Sequence, residues 1–361
     1  MAEGQKRVCV IGAGPSGLTA LKNLREQGLT DLICFEQSDA TGGNWVFRPG
    51  PGHSSVYETT HIISSKKYSQ FDDFPMPDDY PDFPSHAQML AYFRAYESHF
   101  GLTRFIAFET RVDHVEPDGH GRYSVRVTSR GATRDELFDA VLVCSGHHWD
   151  PEVPDYPGHF DGEQLHSHDY KAARPFAGKR VLVVGGGNSA CDIAVETARV
   201  SAHTAISLRR GYYIIPKIVF GAPTDVIYAK LRRLPKPLRQ FLVGVGIRIA
   251  MGKWSKYGLQ QPDCRPMEMH PTLNSDILNA LRHGTVHLRP GIERLDRQDV
   301  EFTDGRRETF DTLIWATGYQ LTFPFFDPDF IDWSGATDVP LYLKMMHTDC
   351  PGLYFIGLFQ P

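Results

Sequence analysis

Two glycine-rich turns, each set directly after a run of apolar β-formers, limit what this chain can fold into more than any other feature. The stretches are "VCVIGAGPSGL" (8–18) and "VLVVGGGNSAC" (181–191). Each reads as a buried parallel strand, a tight turn and the start of a helix. In the first, Gly12 permits the sharp turn, Gly14 lets a ligand approach the backbone and Gly17 lets the helix pack against the strand. In the second, Gly185, Gly187 and Ala190 fill the three small positions.

The surroundings differ in one informative place. After the first helix, whose buried face is Leu18, Leu21 and Leu24, the strand "DLICFE" ends in Glu36. An acid roughly 20 residues past the first glycine suits a ribose hydroxyl. After the second helix, the strand ends in Ser207, Leu208, Arg209 and Arg210. An acid there would repel a 2′-phosphate, whereas Arg offers it a fork of donors, so the second loop is read as specific for NADP(H) over NAD(H). The repeat extends further: "FDAVLVCSG" (138–146) and "FDTLIWATG" (310–318) are matching apolar strands, each following a hairpin pattern. The expected fold class is therefore α/β, with two Rossmann-like dinucleotide-binding domains of three-layer ββα type. The NADP domain (156–309) is expected as an insertion in the FAD domain (1–155 and 310–361), with its own helical insertion at about 212–275. Two dinucleotides in one chain imply electrons passing between a nicotinamide and a flavin, so the cofactors are read as FAD and NADP(H).

Composition excludes other classes. Net charge is −5, which gives no global field for nucleic acid. The six cysteines form no C-x-x-C pair, and Cys9, Cys34, Cys144 and Cys191, set within apolar strand or helix patterns, are read as small core residues. No apolar run reaches the ~18 residues of a transmembrane helix, and "MAEGQKR" carries no secretory leader, so a cytoplasmic location is expected. No metal site is expected: His166 and His168 have no third ligand nearby.

With these residues in place, the chain resembles the flavin-containing monooxygenase family along essentially its whole length. The resemblance rests on "GAGPSGL" with Glu36, "GGNW" (42–45), "GGGNSACDIAVE", "ATGY" (316–319) and "FDGEQLHSHDYKAARP". The last fits the family signature at Phe160, Gly162, His166, Tyr170, Lys171 and Pro175. Carried over residue by residue, the resemblance implies cofactor contacts at Gly12, Ala13, Gly14, Pro15, Ser16, Gly17, Glu36, Gly43, Asn44, Trp45 and Val112. Around the second loop it implies contacts at Gly185, Gly187, Asn188, Ser189, Ala190, Cys191, Asp192, Arg209 and Arg210. It also implies a chemistry: NADPH reduces FAD, reduced flavin captures O₂ as a C4a-(hydro)peroxide, and an amine or sulfide takes the distal oxygen. Tyr170 stands where the related Baeyer–Villiger enzymes usually carry Trp, which favours nitrogen and sulfur substrates over ketones. Phe160, Gly162, His166 and Tyr170 are expected to form a hinge between the cofactors, with Gly162 at a turn and His166 and Tyr170 on one face if the segment is helical.

Two departures shape the expectations. Where the family places an Asn beside the flavin, this chain has Ile63, which donates no hydrogen bond. His61, on the same side of an extended strand, is the expected substitute, with Ser64 beside it. Partial loss of oxygen as H₂O₂ follows, and a flavoprotein that makes only peroxide is the reading from another class. The sequence also stops at "LYFIGLFQP", where the family normally continues, so it is read as either a fragment or a chain with a short C-terminus, and a truncated flavin site is expected to hold FAD less tightly. Residues 230–256 combine an apolar run with basic flanks, a pattern compatible with peripheral membrane contact. A second copy of the chain is carried as an open partner.

Overall fold

The structure, a computed structural model, describes residues 6–50, 52–336 and 339–358; the closing Gln360–Pro361 lies outside them. Contacts divide the chain into two units, one of residues 1–56, 86–150 and 319–361 and the other of 57–85 and 151–318.

The first unit is built on a seven-stranded sheet. At its centre lies β1 (Val8–Ile11), paired in parallel with β2 (Leu32–Phe35) on one side and β3 (Ala140–Val143) on the other. Val10 stands opposite both Cys34 and Leu142. Strand Leu353–Phe355 extends the sheet beyond β3. A continuous apolar strand in the middle of a parallel sheet needs cover on both faces. Helix α1 (Pro15–Glu26) covers one face, burying Leu18 and Leu21. On the other, Cys9, Ile11, Val141 and Val143 pack with Val115, Val125 and Val127 of an antiparallel meander (110–117, 123–129, 132–138). This is the three-layer ββα arrangement.

The second unit repeats it. Five parallel strands run in the order His287–Arg289, β5 (His203–Ser207), β4 (Arg180–Val184), β7 (Thr312–Trp315), Glu163–His166. Helix α2 (Asn188–Thr197) follows β4. Leu182, Val184, Leu313 and Trp315 pack with Ile292, Val300 and Phe302 of a second meander, while Val181 and Val183 pack with Cys191 and Ile193 of α2.

Three expectations change here. The boundary placed at 310 falls inside the second sheet, because β7 pairs with β4 as β3 pairs with β1; the strand belongs to the repeat it completes. Residues 57–85 belong to the second unit. The insertion at 212–275 is only partly helical. It holds helix Thr224–Lys230, helix α3 (Lys236–Met251) and short strands, the last of which, β6 (Thr272–Leu273), pairs with Ile214–Ile215 and leads into helix α4 (Asp276–His283).

Four cysteines, Cys9, Cys34, Cys144 and Cys191, are enclosed in these two cores, and burial raises each thiol pKa. Cys264 and Cys350 are partly exposed.

Candidate active site

In the first unit, the strand–turn–helix leaves no room for side chains. Gly12 has φ +99°, and a Cβ there would lie 2.8 Å from the Cys144 carbonyl oxygen. A Cβ on Gly17 would lie 1.9 Å from the Gly12 carbonyl oxygen. A Cβ on Gly43 would come within 3.0 Å of the Gly14 Cα, so the two glycine backbones face each other across a narrow floor. Pro15 opens α1 where no intrahelical N–H is needed, and the remaining free amides of its first turn give anion-binding geometry. Glu36 closes the arrangement. Its carboxylate accepts the Ala13 N–H at 2.7 Å and both the N–H and hydroxyl of Ser38 at 2.8 Å. Three bonds hold it at the end of β2 while leaving lone pairs for a diol.

A cleft of about 480 Å³ lies over this floor. It gathers Gly12, Gly14, Pro15, Ser16, Glu36, Gly43, Asn44, Trp45 and Val112 from the residues named by sequence. Ala13 and Gly17 support it from below: Ala13 is wholly buried and offers its backbone, and Gly17 sets the helix distance. Asn44 turns its side chain away, accepting the N–H of Ser55 at 2.7 Å and its hydroxyl at 3.0 Å. The sequence reading missed the run Cys144–Trp149, Phe325 and Gly357, which also line the cleft. Their only local signal was the "SG" after an apolar strand. Among the described residues the Ser145 hydroxyl is buried without a partner, a donor suited to a polar ligand. His147 stands in the cleft wall, where burial lowers its pKa. Glycine floor, helix start, carboxylate and unpartnered hydroxyl fit a dinucleotide.

In the second unit, a Cβ on Gly185 (φ +132°) would lie 2.2 Å from the Ala316 carbonyl oxygen, while Gly187 faces open space. Ser189 is exposed beside it. Arg209 and Arg210 follow β5, both exposed and without a carboxylate partner among the described residues. Arg210 stands 5.5 Å from the centre of the Tyr212 ring. Three residues are spent differently from expectation. Cys191 is wholly buried in the core, so only its backbone is available. Asn188 accepts the Leu273 N–H at 2.9 Å. Asp192 accepts the Tyr57 hydroxyl at 2.9 Å and the Asn274 amide at 2.6 Å. Burial pushes the Asp192 carboxyl up, opposed by Lys217 and these two donors.

The hinge motif is a strand and a turn. Phe160 is buried on strand Gly158–Phe160, and a Cβ on Gly162 would lie 2.6 Å from the Asp311 carbonyl oxygen and 2.5 Å from the Phe160 ring. Close packing, not a turn, requires that glycine. His166 ends a strand opposite Trp315, and burial together with His168 pulls its pKa down to about 4. Tyr170 lies beyond the turn and donates to Glu196 of α2 at 2.7 Å. The shared helical face is therefore absent: the Glu163–His166 strand pairs with β7, which fixes it as sheet.

His61, Ile63 and Ser64 also depart from an extended strand. Only His61 is bridged, to Ser85, and the chain then turns through Ile63 and Ser64 into helix Lys66–Ser69. His61 is exposed, its Nδ1 2.8 Å from the Thr59 carbonyl oxygen. The Ser64 hydroxyl pairs with that of Ser69 at 2.8 Å. A single bridge does not sustain the alternation that would place His61 and Ile63 on one side.

Comparison with known proteins bears on this geometry. A family model described as flavin-binding monooxygenase-like matches residues 5–361. Flavin-containing monooxygenase 5 of Cavia porcellus is 38% identical over 99% of this chain and 70% of its own length. Dimethylaniline monooxygenase [N-oxide-forming] 2 of Rattus norvegicus is 37% identical over the same shares. Among solved structures, a flavin-containing monooxygenase from Stenotrophomonas maltophilia superposes with TM-score 0.73 at 24% identity, covering 98% of this chain and 90% of that one.

Proposed function

The chain belongs to the flavin-binding monooxygenase-like family, and from that footing we propose that it is an NADPH- and O₂-dependent monooxygenase acting on soft nitrogen or sulfur nucleophiles. FAD occupies the first cleft in this reading and NADP(H) the second loop. The observation that carries it is the asymmetry of two otherwise matching loops, one closed by Glu36 and the other by Arg209 and Arg210. When bound, FAD supplies hydride acceptance and the reaction with O₂. The chain's own residues bind and orient. Glu36 takes the ribose diol, the α1 amides take the pyrophosphate, and the glycine floor sets how close the ligand sits. The arginine pair selects the 2′-phosphate. Phe160, Gly162, His166 and Tyr170 hold the second unit's loop and sheet in register. Consuming NADPH aerobically with dimethylaniline or a thioether, and recovering N-oxide or sulfoxide, supports the reading. Oxygen insertion into cyclohexanone with neither of those products would replace it with a Baeyer–Villiger activity.

Ile63 favours a second outcome on the same cycle, release of H₂O₂ in place of substrate oxygenation. Ile63→Asn is expected to lower H₂O₂ formed per NADPH consumed by about tenfold, the scale of one hydrogen bond to a charged group. An unchanged ratio would show that this position does not govern the leak.

Among the described residues no helix is long and apolar enough to cross a membrane. Helix α3 supports peripheral contact: Leu238, Phe241, Val245 and Ile249 recur at three- and four-residue steps, with Phe241 66% and Ile249 67% exposed. Arg232, Arg233 and Lys236 precede this stripe, and Arg248, Lys253 and Lys256 close it. Such a helix lies in a headgroup layer, with about 1 kcal/mol from each basic residue near an anionic surface. Flotation with phosphatidylserine vesicles is expected, and Phe241→Asp with Ile249→Asp should abolish it. Wild-type protein staying in solution would remove the membrane reading.

A further inference from the structure

We propose that Asn274 is a positioning residue for the second nucleotide loop, setting its shape before a nucleotide arrives. The assignment rests on the reading of that loop as the NADP(H) site. Three consecutive residues grip the loop and the first half of α2. The Thr272 hydroxyl donates to the Gly186 carbonyl at 2.7 Å, the Leu273 N–H donates to the Asn188 side chain at 2.9 Å, and the Asn274 amide donates to Asp192 at 2.6 Å. Thr272 and Asn274 are only 4% and 3% exposed, so water does not compete for these bonds.

Asn274 is the keystone because both ends of its amide are committed. Its oxygen accepts the Ile277 N–H at 2.9 Å and so caps α4. Its nitrogen holds one oxygen of Asp192 while Tyr57 holds the other. The Thr272 and Asn274 N–H groups donate to the Tyr213 and Ile215 carbonyls, in the segment that follows Arg209 and Arg210. The loop, the start of α2 and the chain just past the arginine pair are thus fastened to one strand. Gly187, with nothing near it, is the part left for a ligand. A loop held in shape in advance costs less to order on binding, and the saving appears as affinity.

Asn274→Asp isolates the role. It keeps an oxygen for the Ile277 N–H and nearly the same shape, but loses the donor and sets a carboxylate against Asp192. With FAD-loaded protein, NADPH binding should weaken about tenfold, the scale of a hydrogen bond to a charged group. Melting temperature should fall, because a second carboxylate is buried beside Asp192, while flavin content in the folded protein should stay near wild type. The exchange Asp192→Asn with Asn274→Asp rebuilds the donor–acceptor pair in reverse, with Tyr57 still served by the new amide oxygen. It should restore NADPH binding to within about threefold, the coupling expected of a direct pair. Thr272→Val removes a different bond of the same brace and should also weaken NADPH, which covers the case in which Asn274→Asp does not fold. Unchanged NADPH binding in both Asn274→Asp and Thr272→Val would overturn the assignment. So would loss of flavin in step with NADPH affinity, unrelieved by the exchange. Wild-type protein that binds FAD but no NADPH would instead sink the proposed function, and this assignment with it.

Discussion

Gly17→Ala is expected to empty the first cleft. A methyl group at this position would sit 1.9 Å from the Gly12 carbonyl oxygen and 3.0 Å from its carbon. Both are backbone atoms of the turn, so no rotamer change relieves the clash. Either α1 lifts away from β1 or the turn opens, and both move the Ser16 and Gly17 amides off the phosphate position. Overpacking a tight core costs about 1–3 kcal/mol, and here the cost falls on the geometry that binds. Flavin absorbance per protein should drop below about a tenth of wild type, a loss of roughly 1.4 kcal/mol or more in retention. The contrast is Gly246→Ala in α3, where an added Cβ meets nothing within 4 Å. That change should keep flavin and add about 0.5–1 kcal/mol of stability by removing a mid-helix glycine. Full flavin retention in Gly17→Ala would show that the first loop is not the flavin's phosphate cradle.

Arg209→Ala with Arg210→Ala is expected to lower kcat/KM for NADPH by about 100-fold while changing the value for NADH by less than about threefold. Charge-assisted bonds to a phosphate are each worth about 1.5–3 kcal/mol, and NADH carries no 2′-phosphate to lose them. Both side chains are exposed and neither has a carboxylate partner among the described residues, so their removal leaves no stranded acid and little change in stability. Higher ionic strength should narrow the wild-type preference for NADPH, since exposed charges are screened within about 10 Å at 0.1 M salt. An equal fall with both nucleotides would mean that the pair serves the loop's structure and not the phosphate.

The two loops were legible because their demands are local. A glycine at Gly12, Gly17 or Gly185 is required by atoms a few residues away or on the next strand, and the strand-then-helix period announces both neighbours. Glu36 and the arginine pair were equally readable, since position at a strand end fixes their role. What escaped depends on partners far along the chain. Phe325 and Gly357 reach the first cleft from a segment with no motif of its own. Gly162 looked like a turn residue because turns are the usual reason for glycine; its real constraint is the carbonyl of Asp311 in the next strand over. Asp192 and Asn188 sit in a phosphate-loop motif, yet their side chains are drawn off by Tyr57, Asn274 and Leu273, and no spacing rule announces that pairing. The boundary at 310 was misplaced although the repeat itself contained the answer: β7 had to pair with β4 as β3 pairs with β1.

The placement of the cysteines gains meaning if reducing equivalents leak to peroxide. Peroxide attacks thiolates, and its selectivity follows exposure and thiolate fraction. Cys9, Cys34 and Cys191 have no exposed surface, Cys144 has 5%, and burial keeps all four protonated. Each lies on or against the central strands of a nucleotide fold, where a sulfinic acid would be a buried charge without a partner. Cys264 and Cys350 are both partly exposed, and burial raises the Cys350 thiol pKa. Self-inflicted oxidation would therefore reach the partly exposed Cys264 and Cys350 before the four thiols of the redox scaffold.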